Sequence, residues 1–424
     1  MDLKITNAIL PGRQGQWDVG IAGDRITHIA PTLAASATQT LDAQGNLLIP
    51  GLVDGHIHLD KALILDRYPA LDGTFDEALR ETLKLKQSFT IEDIQNRARR
   101  VIEQAIAFGT TAMRTHVEVD PTMGLDAMEA LLPLRKAYSW GITLQLAVFA
   151  QEGITNHDGL RDQLRQALAM GGDAIGSAPY VDPDPKRNIE TVFDLAQEFD
   201  CDVDFHLDFL DNDEPLLLPF VIEETVRRGW QGRVYLGHMT KLAALTPSEL
   251  ETLAAAMREA GVSVLALPAT DLYMMARKDT HNVRRGIAPV HRLAELGVTV
   301  GLATNNVFNL FTPFGDGDVL KLCTLLAQVL HLGTVSSHQL CLEMATSQAA
   351  AAIGIQHHEI EVGNVADLVL LNVRSVSEAI GAAPMGRTVI KNGVVVAQSK
   401  VEQQWFVPKL VSLRSCCPKQ EHEF

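Results

Sequence analysis

Cysteine is scarce in this 424-residue chain, and the five present, Cys201, Cys323, Cys341, Cys416 and Cys417, are odd in number and lack any C-x-x-C spacing. Their pattern argues against a disulfide framework and a thiolate zinc site, and it points to a reducing cytoplasm. Long apolar runs are missing too, since no uninterrupted stretch of about 18 residues is available to span a bilayer. The opening MDLKITNAIL carries no basic segment leading into a sustained apolar one. The expectation is a protein neither exported nor membrane-spanning. Positive charge is in deficit, with 36 Lys and Arg against 52 Asp and Glu and a formal net charge of −16. Such a balance repels phosphate backbones and anionic lipid surfaces, so nucleic acid and membranes are not expected partners. A small neutral or cationic ligand fits better.

What is present is ordinary enzyme material: 46% hydrophobic and 21% charged residues, enough for a substantial core. The length accommodates one barrel of roughly 250 to 300 residues and a smaller companion. Short β-prone runs separated by turn signals fill the first fifty residues: Leu3 to Leu10, Trp17 to Ala22 and Arg25 to Ile29. A matching group, Ala366 to Leu371, Arg387 to Ile390 and Val394 to Ala397, surrounds Asn392-Gly393 near the other end, and the two ends are expected to complete one sheet together. Between them, eight apolar runs of strand length alternate with segments of helical period. They are Gly51 to Ile57, Thr110 to Val117, Ile142 to Phe149, Ala174 to Ala178, Asp202 to Leu207, Arg233 to Gly237, Val262 to Leu267 and Val298 to Ala303. Ile91 to Phe108, with Ile and Val at helical spacing among Arg, Glu, Gln and Ala, is a typical crossover helix. Eight βα repeats predict an α/β fold, a (β/α)8 TIM barrel over residues 51–361 with a small β-sandwich from residues 1–50 and 362–411, followed by a tail over 412–424. A doubly wound open sheet fits less well, because it usually has fewer strands and a Gly-rich first turn that is absent here.

Polar side chains at the C-terminal ends of barrel strands share one mouth, which makes them functional candidates by geometry. The first strand ends Val53-Asp54-Gly55-His56-Ile57-His58, and strand alternation puts His56 and His58 on one face. An isolated His-x-His pair is as readily explained by backbone hydrogen bonds; on a first barrel strand it favours a divalent metal. The fifth strand ends in His206 and the sixth in His238. A metal with three histidine ligands keeps an open position for water and lowers its pKa, while a fourth histidine manages protons. One strand-end histidine is often structural, but four in successive places are hard to explain by packing.

The segments IPGLVDGHIHLDK, RTHVEVDP, LAVFAQEG, DVDFHLD, LGHMTK, RRGIAPVHRLAELGVTVGLATNNVF and EVGNVADLVLLN together resemble the amidohydrolase superfamily, in its cytosine deaminase branch. His58-Leu59-Asp60-Lys61 followed by PFGDGD at Pro313 to Asp318 is similar to the s-triazine-degrading members of that branch. The resemblance implies His56, His58 and His206 as ligands of one Zn or Fe ion, with His238 close to the attacking water. It further implies that Gln151 hydrogen-bonds the amide-like edge of a substrate ring and that Lys61 lines the pocket, although a loop amide and a solvated lysine would account for these residues alone. The expected reaction is hydrolytic removal of an amino or alkylamino group from a pyrimidine- or triazine-like ring.

Two positions depart from the family pattern. An aspartate expected after the eighth strand as fourth ligand and proton acceptor is replaced by Asn305, with Asn306 following. An amide oxygen is a weaker ligand and no general base. The glutamate expected three residues after His206 is Phe209, which carries no proton and is expected to pack against a ring or a pocket wall. Asp208, two residues after His206, is the expected replacement acid or base by strand alternation, ahead of Asp211, Asp213 and Glu214 in the next loop. These departures motivate an alternative: a barrel that has lost hydrolysis and serves as a ligand-binding or regulatory protein. A two-metal, cyclic-amide-opening reading is disfavoured, because the fourth strand ends Gly176-Ser177-Ala178-Pro179 and offers no bridging lysine. A homo-oligomer stays open, as barrels of this kind often associate.

Overall fold

The computed structural model describes residues 1–209, 212 and 214–406; Asp211, Asp213, residues 407–411 of the expected sandwich and the tail 412–424 lie outside the described residues. Strands β1 (Leu3–Ala8), β2 (Trp17–Ala22), β3 (Arg25–Ala30) and β4 (Gln39–Asp42) form a sheet of order β3-β2-β1-β4. Strand β5 (Leu47–Pro50) then leaves that sheet and leads into the barrel.

The barrel strands are β6 (Leu52–Ile57), β7 (Thr110–Glu118), β8 (Thr143–Ala150), β9 (Ala174–Ser177), β10 (Asp202–Leu207), β11 (Val234–His238), β12 (Val262–Ala266) and β13 (Val300–Leu302). They are parallel and each pairs with its sequence neighbour. The two edges meet where Asn305 N donates to His56 O at 2.7 Å and His58 N donates to Asn305 O at 2.8 Å. That ladder closes the barrel and fixes Asn305 beside the histidine pair. All eight expected strands are found, with ends moved by no more than two residues. A crossover helix such as Ile91–Ala107 forms because Ile94, Ala98, Val101, Ile102 and Ala105 recur on one buried face and Thr90 accepts a capping bond from Asp93 N at 3.2 Å. It ends at Gly109, whose φ of +93° and lack of a Cβ let Val369 pack where a side chain would stand 2.7 Å away.

Beyond the barrel, β14 (Leu368–Leu371), β15 (Arg387–Lys391) and β16 (Val394–Ser399) form a second sheet of order β16-β15-β14-β5. The expected single shared sheet is therefore two sheets, and β5 is the N-terminal strand that crosses to the C-terminal one by antiparallel pairing with β14. Ile5, Val19 and Ile21 from one sheet and Leu48, Leu368 and Ile390 from the other bury a common cluster, which is why two faces pack rather than one sheet extending.

Arg387 anchors the second sheet to the barrel. Fully buried, it donates to Asp318 Oδ1 and Oδ2 at 2.8 and 2.6 Å and to Phe108 O at 2.6 Å. Removing one member of a buried bidentate pair strands the other charge, at a cost of about 3–5 kcal/mol. Arg387→Met is accordingly expected to lower the urea midpoint of the metal-loaded protein strongly, and an unchanged midpoint would contradict this anchoring.

Candidate metal centre and active site

The barrel mouth gathers five buried histidines: His56, His58, His116, His206 and His238. His56 Nε2 stands 3.1 Å from His206 Nε2, and His58 Nε2 stands 3.0 Å from the same atom. Nitrogens held at about 2.0–2.1 Å from one ion lie roughly 3 Å apart, so each of these two approaches fits a shared cation. Among the described residues, the histidine triples whose ligand atoms all lie within 4.8 Å of one another are His56, His206, His238 and His56, His58, His116. Two further observations support the fit. The Oδ1 of Asn305, beside the histidine pair, is buried without a hydrogen-bond partner. Burial first, and then neighbouring cationic and imidazole groups, push His56, His58 and His206 well below the usual histidine range, which keeps them in the neutral form that ligates metal. The backbone makes room for the cluster at Gly237, where a Cβ would lie 2.6 Å from His56 Cε1.

A charged layer lies behind the rings. Asp204 Oδ1 is 3.1 Å from His116 Nε2 and 4.0 Å from His56 Nδ1, and its other oxygen accepts from Arg114 at 3.2 Å. Glu118 lies 3.9 Å from His58 Nδ1 and pairs closely with both Lys61 and Lys86. Burial raises the Glu118 carboxyl, but the two lysines prevail and hold it at about 2. Lys86 in turn reaches Asp120 at 2.9 Å and Glu152 at 2.6 Å, so it occupies what would otherwise be a bare acidic cluster.

In front of the histidines is a small cavity of about 20 Å³, lined by His58, His206, His238, Lys61, Gln151, Phe209, Asn305 and Asn306 with Phe75, Tyr180, Thr270 and Phe311. Lys61 Nζ donates to Gln151 Oε1 at 3.2 Å and lies 4.8 Å from the Phe311 ring centre. Phe209 lies against His238 with ring centres 4.1 Å apart and planes tilted by 45°, and it also meets the rings of Phe75 and Tyr180. His238 Nδ1 donates to Asp271 Oδ1 at 2.7 Å, and Asp271 is fully buried on the short helix Pro268–Met274 that follows β12.

Of the residues singled out by sequence, His56, His58, His206, His238, Gln151, Lys61, Phe209 and Asn305 are brought together. Asp208 is not. Its φ of +47° breaks the extended alternation just past β10, and its carboxylate instead accepts the Leu217 and Leu218 amides at 2.9 and 3.1 Å, at the start of helix Leu218–Arg228. It faces a neighbouring groove and is not among the residues that line the histidine cavity. Sequence reasoning missed His116, although the strand-end test applied to β7 could have found it. It also missed Asp271, which sits on a helix and gives no strand-end signal.

Comparison with known proteins agrees with this geometry. The chain is 31% identical over 414 residues to the N-isopropylammelide isopropyl amidohydrolase of Pseudomonas sp. (strain ADP), covering 94% of this chain and 98% of that one. It is 27% identical to the pterin deaminase of Rhizobium rhizogenes (strain K84 / ATCC BAA-868), over 90% of this chain and 88% of that one. Among solved structures, the 5-methylcytosine deaminase from Klebsiella pneumoniae liganded with 5-fluorocytosine superposes with a TM-score of 0.89 at 27% identity, covering 95% of this chain and 99% of that one. The sequence pattern of the amidohydrolase family matches residues 47–396, and the chain belongs to that family.

Proposed function

We propose that this protein hydrolyses an amino or alkylamino substituent from a nitrogen heterocycle of the pyrimidine or s-triazine type. The observation that carries this reading is the approach of both His56 Nε2 and His58 Nε2 to within 3.1 Å of His206 Nε2, beside a cavity lined by Gln151, Lys61 and Phe209. The names of its relatives, an isopropylammelide amidohydrolase and a 5-methylcytosine deaminase, support the same chemistry. The three histidines would hold one Zn or Fe ion, with Asn305 Oδ1 as a weaker fourth contact. Such an ion supplies Lewis acidity that makes water acidic enough to ionise near neutral pH.

The chain's own residues manage the rest. Asp271 holds the Nδ1–H of His238, which leaves the His238 Nε2 lone pair for the cavity. His238 takes the proton as water oxygen bonds to the ring carbon and returns it to the departing amine as the C–N bond breaks. Gln151 and Lys61 bind the ring edge, and Phe209 supplies an apolar wall that excludes bulk water. The unpaired buried thiols Cys201, Cys323 and Cys341 suit a reducing cytoplasm, and among the described residues no helix is long and apolar enough to cross a membrane.

The test is metal analysis of purified protein with release of ammonia or alkylamine measured before chelation, after it and after reloading. Amine release that follows metal content is the expected result, and metal binding without release from any such ring would defeat the reading. A second reading, a binding or regulatory barrel without turnover, is favoured by one observation, the amide of Asn305 where the family has a carboxylate. Asn305→Asp separates the two. On the hydrolase reading the parent already turns over, and the variant binds metal more tightly with a rate changed by about tenfold or less. Turnover appearing only in the variant would establish the second reading.

A further inference from the structure

Asn306 lies on the cavity wall beside Thr270 but has no part in the chemistry above. Its amide orientation follows from its neighbours. Asn309 Oδ1 accepts the backbone N–H groups of Phe311 and Thr312, each at 3.0 Å, so the other end of that amide is its NH2. This NH2 donates to the Lys61 carbonyl at 3.3 Å and to Asn306 at 2.6 Å. A donor at that distance requires an acceptor, so the Asn306 atom facing Asn309 is Oδ1. The Asn306 NH2 is thereby turned to the Thr270 side, with its Nδ2 at 3.5 Å from Thr270 Oγ1. Thr270 is itself held 2.5 Å from the Thr312 hydroxyl. Elsewhere on the same cavity, Lys61 engages Gln151 Oε1 and leaves the Gln151 NH2 as that amide's free end.

We propose that Asn306, oriented by Asn309, is a specificity-determining hydrogen-bond donor. It selects heterocycles that present an oxo oxygen at the edge facing it, and it disfavours an amino group there. An aspartate in the same place would present acceptors and invert the choice. The physical basis is asymmetric: a matched donor gains a modest hydrogen bond, whereas two donors facing each other in a water-poor cavity leave both unpaired. The inference rests on the heterocycle-hydrolase reading for the kind of ligand, but it concerns binding and is tested without turnover.

The experiment titrates metal-loaded wild type, Asn306→Asp and Asn309→Asp calorimetrically with uracil, which has two oxo groups and no amine to lose, and with 2,4-diaminopyrimidine. Wild type is expected to prefer uracil. Asn306→Asp should weaken uracil by about 10- to 100-fold and reverse or abolish the preference. Asn309→Asp can still accept the Phe311 and Thr312 amides, but it repels Asn306 Oδ1 and should turn the Asn306 amide over, giving the same change although no cavity-lining residue is substituted. An unchanged preference in both variants, or a wild type that prefers the diamino ring, overturns the proposal. Ammonia or alkylamine release is read separately: selective binding without release in any assay sinks the hydrolase reading and leaves this inference standing.

Discussion

Replacing His206 by Ala is expected to abolish stoichiometric metal and lower amine release by roughly a thousandfold, equivalent to about 4 kcal/mol of barrier. Among the candidate ligands His206 is the hub: its Nε2 is the atom within 3.1 Å of both His56 and His58. Loss of either outer histidine leaves two nitrogens adjacent, but loss of His206 removes the atom that relates them. Chelated wild type should match the variant in rate, and reloading should restore wild type alone. A His206→Ala protein that keeps one equivalent of metal and its rate would rule out this ligand set. The folded chain should persist, because the barrel is held by core contacts and strand pairing that do not depend on the site.

That the hub could be read from sequence, while part of its setting could not, has a physical reason. Strand period and βα alternation are local signals, so eight barrel strands and the histidines at their ends were legible. A strand-end rule fails where the backbone leaves the strand. Asp208 follows β10 directly, yet its positive φ sends the carboxylate to a helix start, and one dihedral outside the β region undid the alternation argument. Asp271 shows the opposite failure. It lies 33 positions from His238 in sequence and meets it only because the loop after β12 folds back as a short helix over the mouth. The sheet at the chain ends depended on a similar non-local choice, with β5 pairing to β14 and leaving β1–β4 to form their own sheet. Phe209 needed no such choice: apolar and next to the mouth, it was expected against a ring or a wall, and its ring lies tilted against that of His238.

Asp271→Asn is expected to retain metal and lower kcat by about 10²- to 10⁴-fold. Asn305 cannot accept a proton at neutral pH, Asp208 is spent on backbone amides, and Phe209 has no titratable group. On the proposed reading the proton passes through His238, the imidazole on the cavity whose other nitrogen donates to a carboxylate, at 2.7 Å. Burial pushes the Asp271 carboxyl upward, while His238 and the Leu267 amide oppose that and favour the charged form. An asparagine is nearly isosteric but can turn its NH2 to Nδ1, which moves the imidazole proton to Nε2 and removes the lone pair that water requires. Because Asp271 is not among the candidate metal ligands, metal content separates this effect from the His206 one: low rate with full metal implicates the dyad, and low rate with lost metal would mean that Asp271 serves only to support the centre. An unchanged rate with full metal would show that His238 works without its carboxylate, and proton transfer would then have to be assigned to another group on the cavity wall.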